Sequence, residues 1–319
     1  MNLQPISASR RSGVVGVHSI DRFVFTVPDL QVAQDFYTAF GLDVRRNGDR
    51  VDLHTFGHAH CWASIFQGGE RKQLQYVRYG IFGEDEAVFR QRIDDLGIGI
   101  APHALGEPGG IWLRDSDGIA AQLVVAPKVS PSAKTVPSAV APVPAGRGAA
   151  PSRSTAAKVF PRNLSHILRF TPDVPRMLAF SRDVLGLRLS DHSADIIAFI
   201  HTPHGSDHHL VAFAKSHAPG LHHSSWDVGS IDEVGRGAEQ MRNAGWGKGW
   251  GVGRHVLGSN YFNYVQDPWG SFCEYSCDID FIAPDRDWPA ADHPPQDSLY
   301  VWGPAVPEDF ITNYEVPLT

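Results

Sequence analysis

Apolar positions along this 319-residue chain follow two alternating periods. The stretch IDRFVFTVPDLQVAQDFYTAFGLDV, from Ile20, opens with a mostly apolar run, meets Pro28-Asp29, then carries apolar residues three and four apart up to Gly41. An apolar run bounded by a turn predicts a buried strand, and the wider spacing predicts an amphipathic helix begun at an Asp cap and stopped at a Gly. The same signals return in LSHILRFTPDVPRMLAFSRDVLGLRL, from Leu164 to beyond Gly186. With Arg22 aligned on His166, Pro28 matches Pro172, Asp29 matches Asp173 and Phe36 matches Phe180.

A weaker strand-helix-strands unit follows each copy. In the first block it comprises strands over 74–79, 110–113 and 120–125 and a helix over 84–96. In the second it comprises strands over 222–228, 261–265 and 272–275 and a helix over 231–244. Repetition on this scale defines the architecture better than any single element. The expected fold is α+β, with four βαβββ-like modules paired into two domains, 14–126 and 162–282. Between them, 127–161 is dominated by Pro, Ala, Ser and Gly and reads as an extended, solvated linker. A tail, 283–319, carries Trp288, Tyr300 and Trp302.

Composition narrows the function classes. The chain is 42% hydrophobic and 20% charged, a soluble globular balance. A net charge of −7 without a basic stripe argues against nucleic-acid binding. No apolar run approaches the roughly 18 residues of a membrane span, and Arg10-Arg11 is not followed by the apolar segment of a signal peptide. The three cysteines, Cys61, Cys273 and Cys277, make no disulfide framework, so a cytoplasmic location is expected.

The richest chemistry lies in GVGRHVLGSNYFNYVQDPWGSFCEY, Gly251 to Tyr275, which reads as strand, turn, strand. Glu274 shares a strand face with Phe272 and Ser276. A carboxylate on an apolar strand is costly to bury unless paired or bound to a metal. Cys273 alternates to the opposite face, which separates it from Glu274. Two histidines stand at matching module positions: His166 on the first strand of the third module and His223, in LHHSSWDV, on the first strand of the fourth. Two imidazoles and one carboxylate form the facial triad of non-haem Fe(II) oxygenases. The first block supplies an internal control. Its equivalent positions are Arg22, Tyr76 and Gln122, while its Asp-x-x-Gly turn, Asp115 to Gly118, persists. The metal site is therefore expected in the C-terminal pair of modules only.

Taken together, these residues resemble the type I extradiol ring-cleavage dioxygenases of the vicinal oxygen chelate superfamily. The family's signature before its metal glutamate is matched by Gly253, His255, Tyr264, Asp267, Pro268, Gly270 and Glu274, with Asn263 departing from the usual aliphatic residue. The resemblance implies Fe(II), with Mn(II) as the alternative, held by His166, His223 and Glu274. It makes His209 the acid/base histidine, and His255 and Tyr264 hydrogen-bonding partners of the substrate and oxygen. It implies insertion of both atoms of O2 into a catechol, giving a muconic semialdehyde-type product, and a homo-oligomer with no nucleic-acid or membrane partner.

Relatives acting on carboxylated catechols have an arginine where this chain has Trp250, and homoprotocatechuate enzymes have an asparagine at Leu168. Both differences point to a large or apolar, aryl-substituted or bicyclic catechol. His201 and His204 read as loop residues, with pocket lining by His201 as the alternative. His222 reads as a structural residue turned away from His223, and His208 likewise unless its strand is irregular. The tail segment Trp302-Gly303-Pro304 resembles one that covers the site in some relatives. Two other functions stay open: a metal-dependent isomerase or lyase like glyoxalase I, for which a fourth acidic ligand is not evident, and a non-catalytic binding protein.

Overall fold

The structure is a computed structural model that describes residues 8–138, 143 and 145–317. Strands β1 (Ser19–Val27), β2 (Asp43–Asn47), β3 (Arg50–His54), β4 (Ala63–Gln67), β5 (Gln73–Ile81), β6 (Ile111–Arg114) and β7 (Ala120–Val125) form one sheet in the order β2-β3-β4-β1-β5-β7-β6. The second half contributes β8 (Asn163–Thr171), β9 (Arg188–Ser193), β10 (Ile197–His201), β11 (Ser206–Asp207), β12 (Val211–Lys215), β13 (Gly220–Asp227), β14 (Gly249–His255), β15 (Tyr261–Gln266), β16 (Phe272–Cys277), β17 (Phe281–Ile282) and β18 (Tyr300–Trp302). Their sheet runs β18-β14-β15-β16-β13-β8-β12-β10-β9, and β11 pairs with β17 in a separate ribbon. The helices are α1 (Leu30–Phe40), α2 (Glu86–Leu96), α3 (Val174–Asp183), α4 (Ile231–Asn243) and α5 (Pro295–Ser298).

The repeated Pro-Asp signal works as its chemistry requires. Asp29 accepts hydrogen bonds from the amides of Gln31 and Val32, and Asp173 accepts one from Arg176. Each cap contributes about 1 kcal/mol. Gly41 ends α1 with φ 98°, and a Cβ there would lie 2.2 Å from the Val159 carbonyl, so only glycine fits. The second module is shorter than expected. Its first strand after the helix shrinks to a single bridge, Gly99 to Leu113. Pro102 and Pro108 cannot donate to a ladder there.

The halves share one continuous core. Phe40 stacks on Tyr275 at 3.9 Å, and the Tyr275 hydroxyl donates to the Phe40 carbonyl. Reciprocal ion pairs join the halves. Oδ1 of Asp115 caps its own turn through the amides of Asp117 and Ile119, while Oδ2 accepts from Arg169 of the other half at 2.7 Å. Asp267 repeats this arrangement: Oδ1 accepts from the amides of Trp269 and Ser271, and Oδ2 takes Lys72 of the first half. All four side chains are buried.

Most described residues of the segment 127–161 are exposed, but its two ends dock on the halves. Val129 and Ser130 donate backbone amides to Ser19 Oγ, and Val159 is buried in the core. Its two ends thus find partners on the halves, while Val136 between them stays exposed. Residues 139–142 and 144 of this segment lie outside the described residues. The tail crosses the open end of the second sheet, where β18 pairs with β14. Among the described residues, no helix is long and apolar enough to cross a membrane.

Candidate active site

Strand register brings the three candidate metal ligands together. Ser225, on β13, lies opposite His166 on β8 and opposite Glu274 on β16. His223 stands two residues before Ser225, on the same face. Three adjacent strands thus aim two imidazoles and one carboxylate over a serine, whose small side chain leaves space between them. His166 Nε2 lies 3.4 Å and His223 Nε2 3.7 Å from Glu274 Oε2. One ligand atom from each residue falls within 4.8 Å of the others. Donors bound at about 2.1 Å to one ion have spacings of this kind. All three residues are buried, yet His223 Nε2 and Glu274 Oε2 have no hydrogen-bond partner. Orphaned polar atoms are expensive in a protein interior, and a divalent ion between them removes that cost. The donor set fits a metal.

Surrounding groups orient these side chains. Asn260 Nδ2 donates to Glu274 Oε1 and to Ser276 Oγ. His166 Nδ1 contacts Ser165 Oγ at 3.2 Å, and Ser165 in turn donates to Asp207 Oδ2 at 2.7 Å. Such outer contacts fix ring orientation around a metal.

His209, His255 and Tyr264 surround the same point. The rings of His209 and His166 are 3.9 Å apart. His255 Nδ1 donates to the Leu299 carbonyl of the tail at 2.7 Å, so its Nε2 accepts from the Tyr264 hydroxyl at 2.9 Å. Tyr264 is directly opposite Glu274 across β15 and β16. Burial holds His209 well below the usual imidazole range and lowers His255, so both are neutral near pH 7. Burial pushes the Tyr264 phenol well above 10, which keeps its proton in place.

A cavity of roughly 220 Å³ opens onto these groups. Its walls include Leu168, Phe199, Leu257 and, from the tail, Val306, Phe310 and Ile311. Leu168 takes the position expected from the sequence. Trp250 does not. It lies outside the lining and stacks on Tyr264 at 5.6 Å, with its indole N–H donating to the Pro304 carbonyl. The irregular register of β14 after Gly251 accompanies this placement. His201 also lies outside the cavity. It ends β10 rather than sitting in a loop, with Nδ1 against Ser190 Oγ, and burial lowers its pKa to about 3. His222, expected to face away from His223, lines the cavity beside it. A register shift between Leu221 and His223 marks a bulge that turns both rings to one side.

The sequence reading missed Asn260, Asp207 and Asp191. Asp191 accepts from His208, Trp288, His293 and the Ala291 amide. Burial alone would raise its pKa, but these donors bring it down to about 2. Asn260 could have been found by asking what occupies the second oxygen of a buried Glu274. Asp191 lies 17 residues from His208 and carries no local signal.

Comparison with known proteins matches residues 163–275 to the Glyoxalase/Bleomycin resistance protein/Dioxygenase superfamily. The chain is 51% identical over 300 residues to metapyrocatechase 2 of Cupriavidus necator, covering 94% of this chain and 93% of that one. It is 27% identical to biphenyl-2,3-diol 1,2-dioxygenase of Metapseudomonas furukawaii, covering 91% and 94%. The fold superposes on the E323L mutant of homoprotocatechuate 2,3-dioxygenase from Brevibacterium fuscum with a TM-score of 0.75 at 18% identity, over 97% of this chain and 84% of that one.

Proposed function

The chain belongs to the extradiol ring-cleaving dioxygenases of this superfamily, and from that premise we propose an Fe(II) enzyme acting on a large or apolar catechol, with His166, His223 and Glu274 as its metal ligands. The observation that carries the proposal is the pair of orphaned buried atoms, His223 Nε2 and Glu274 Oε2, facing His166 beneath an apolar cavity. Two imidazoles and a carboxylate suit non-haem Fe(II); Mn(II) is the alternative. Bound there, a divalent ion lowers the pKa of a catechol hydroxyl as it does that of water. His209, neutral through burial, takes the second hydroxyl proton and returns one as the ring opens. His255 and Tyr264, joined at 2.9 Å, hydrogen-bond the substrate oxygen and hold the ring in one orientation. The apolar walls keep water away from the reacting ring. Both atoms of O2 enter across the ring bond beside the hydroxyls, giving a muconic semialdehyde-type product.

The cavity supports the substrate class. About 150 Å³ is enough to hold benzene, so roughly 220 Å³ leaves space beyond one ring. Among the described lining residues, the only lysine or arginine is Lys215, which is paired with Asp195. No free cation waits for a substrate carboxylate. The relative named for biphenyl-2,3-diol is consistent with an aryl substituent. The proposal also places the enzyme in the cytoplasm, where its three thiols stay reduced, as a homo-oligomer whose contacts would cover exposed Val301, Trp302 and Ile311. The chain is proposed to divide into a metal-free domain, 14–126, and a catalytic domain, 162–282, with the tail closing the site.

The test is anaerobic purification with iron analysis, followed by O2 uptake and yellow product formation with 2,3-dihydroxybiphenyl, 4-methylcatechol and protocatechuate. The expected order of kcat/KM is as written. Preference for protocatechuate would overturn the substrate class, and absence of O2 uptake across the panel after Fe(II) reconstitution would overturn the metal chemistry.

A further inference from the structure

Two of the four histidines given working roles above, His209 and His223, are each preceded in sequence by another histidine, and in both pairs the two rings meet through Nδ1. His208 Nδ1 lies 3.1 Å from His209 Nδ1, and His222 Nδ1 lies 2.6 Å from His223 Nδ1. The far nitrogen of each leading histidine rests on a group that can only accept. His222 Nε2 is 2.7 Å from the Phe310 carbonyl. His208 Nε2 is 2.9 Å from Asp191 Oδ2, a carboxylate that also receives Trp288, His293 and the Ala291 amide.

These contacts determine where the protons sit. An acceptor at Nε2 requires Nε2–H on His222 and on His208. A neutral ring then offers a lone pair at Nδ1. The facing Nδ1 of His223 and of His209 must therefore carry the proton, which leaves Nε2 of each as a free lone pair. For His223 that nitrogen is the orphaned atom beside Glu274. For His209 it is the nitrogen available to a substrate hydroxyl in the cavity.

We infer that His208 and His222 are positioning residues, each anchored by an acceptor that the tail supplies or braces, and that they fix the tautomers of His209 as base and His223 as metal ligand. The inference rests on the proposed roles of His209 and His223. In both pairs the register of the strand had to break to place adjacent rings on one side. For His222 the break is the bulge in β13. For His208 it is the turn between the short β11 and β12. The three tail contacts that brace Asp191 come from within six residues of one another, Trp288 to His293, and Phe310, which anchors His222, follows further along the same tail. The tail therefore sets proton positions as well as covering the cavity.

The direct test is a long-range 1H–15N correlation spectrum of the Zn(II)-loaded full chain with labelled histidine. Nε2–H on His208 and His222 and Nδ1–H on His209 and His223 are expected. The opposite tautomer in either leading ring overturns the inference for that pair. Variants then separate the two pairs. His222→Phe should raise the Kd for Zn(II) by about 10- to 100-fold, the usual scale for an outer contact to a metal ligand. His208→Phe should leave the Kd for Zn(II) within about twofold of native and lower kcat by about 10- to 100-fold with KM little changed. Asparagine at either position keeps an acceptor where Nδ1 stood and should recover most of the loss. Native Zn(II) affinity in His222→Phe, native kcat in His208→Phe, or equal damage from Asn and Phe would overturn it. Should a Phe variant fail to fold, the native spectrum and the Asn variants decide. Failure of the underlying roles looks different: His223→Ala would keep its metal, or His209→Phe its turnover.

Discussion

The two halves of the molecule share one strand register and differ in what stands at its centre. In the C-terminal half, Ser225 lies between His166 and Glu274. In the N-terminal half, Arg78 occupies the same register, between Arg22 on β1 and Gln122 on β7. Its guanidinium fills the space that Ser225 leaves open. Arg78 pairs with Asp21 and Glu107, Arg22 also pairs with Glu107, and the Gln122 amide donates to the Glu107 and Gly109 carbonyls. The charges of the first centre are matched by ion pairs, whereas the second sets His223 Nε2 and Glu274 Oε2 facing each other with no hydrogen-bond partner. The fold alone therefore does not make a metal site. The candidate site differs by a small residue at the middle strand, over which two imidazoles and one carboxylate converge.

The comparison breaks most completely at Glu274. Glu274→Gln removes the charged donor and should reduce bound iron to below about a tenth of native. The expected loss in kcat/KM is about 1000-fold, or about 4 kcal/mol of transition-state stabilisation. Iron analysis beside steady-state kinetics measures both, and near-native iron content would remove Glu274 from the ligand set.

The next largest effect lies between the halves. Lys72→Met strands a buried Asp267, and Arg169→Met strands Asp115. Breaking one partner of a buried pair costs about 3–5 kcal/mol, so Tm should fall by on the order of 10 °C. Similar losses at the two sites are expected from their reciprocal geometry. An unchanged Tm in either variant would show that its pin contributes nothing.

Acid should weaken both halves through their buried histidines, more of which lie in the second half. Burial lowers the pKa of His201 to about 3 and of His204 and His222 to about 4, and it also lowers His209, His223 and His255. Each is lower in the fold than the 6.5 of a free imidazole. The stability at stake is fully present above pH 6.5 and is lost as pH falls, because the unfolded chain gains protons that the fold refuses. Asp207 and Glu315, each raised to about 7, and Asp227, raised to about 6, act in the opposite sense. In the first half His18 is lowered to about 3, His54, His60 and His103 are also lowered, and Asp85 is raised. Ten imidazoles thus outweigh four carboxyls, and Tm should decline from pH 7 to pH 5, by up to about 1.4 kcal/mol per pH unit for each uncompensated group. A Tm that rises over this range would contradict the balance. The smallest effect is expected at Glu107→Gln, which unsettles a partly exposed arginine cluster by about 1 kcal/mol or less. Iron content and turnover should not change, and a loss of either would mean that the first half contributes to the site.

Much of this was legible in the sequence because the repeat is written twice. Pro28-Asp29 and Pro172-Asp173 announced the same strand-to-helix turn. Alignment of the two copies picked out His166, His223 and Glu274 against Arg22, Tyr76 and Gln122. Local alternation could not reveal where alternation fails. The bulge that turns His222 inward and the β14 irregularity near Trp250 depend on contacts with other strands. Asp191 joins His208 only because β9 and β10 fold back together and the tail comes to rest there. For the segment 127–161 composition predicts solvation, and most of its described residues are exposed, but composition cannot show that Val159 meets a ready-made cleft at Gly41.

The reciprocal aspartate turns carry one more consequence. Each half holds, in its own hairpin, the counter-ion for a cation buried in the other. Separation would therefore leave Arg169 and Asp267 facing water-poor surfaces with nothing opposite. Among the described residues the first half gathers no metal-ligand cluster, but it is an electrical complement to the half that holds the candidate site. A shortened enzyme made from 162 onward would have to evolve two new surfaces before it could stand alone.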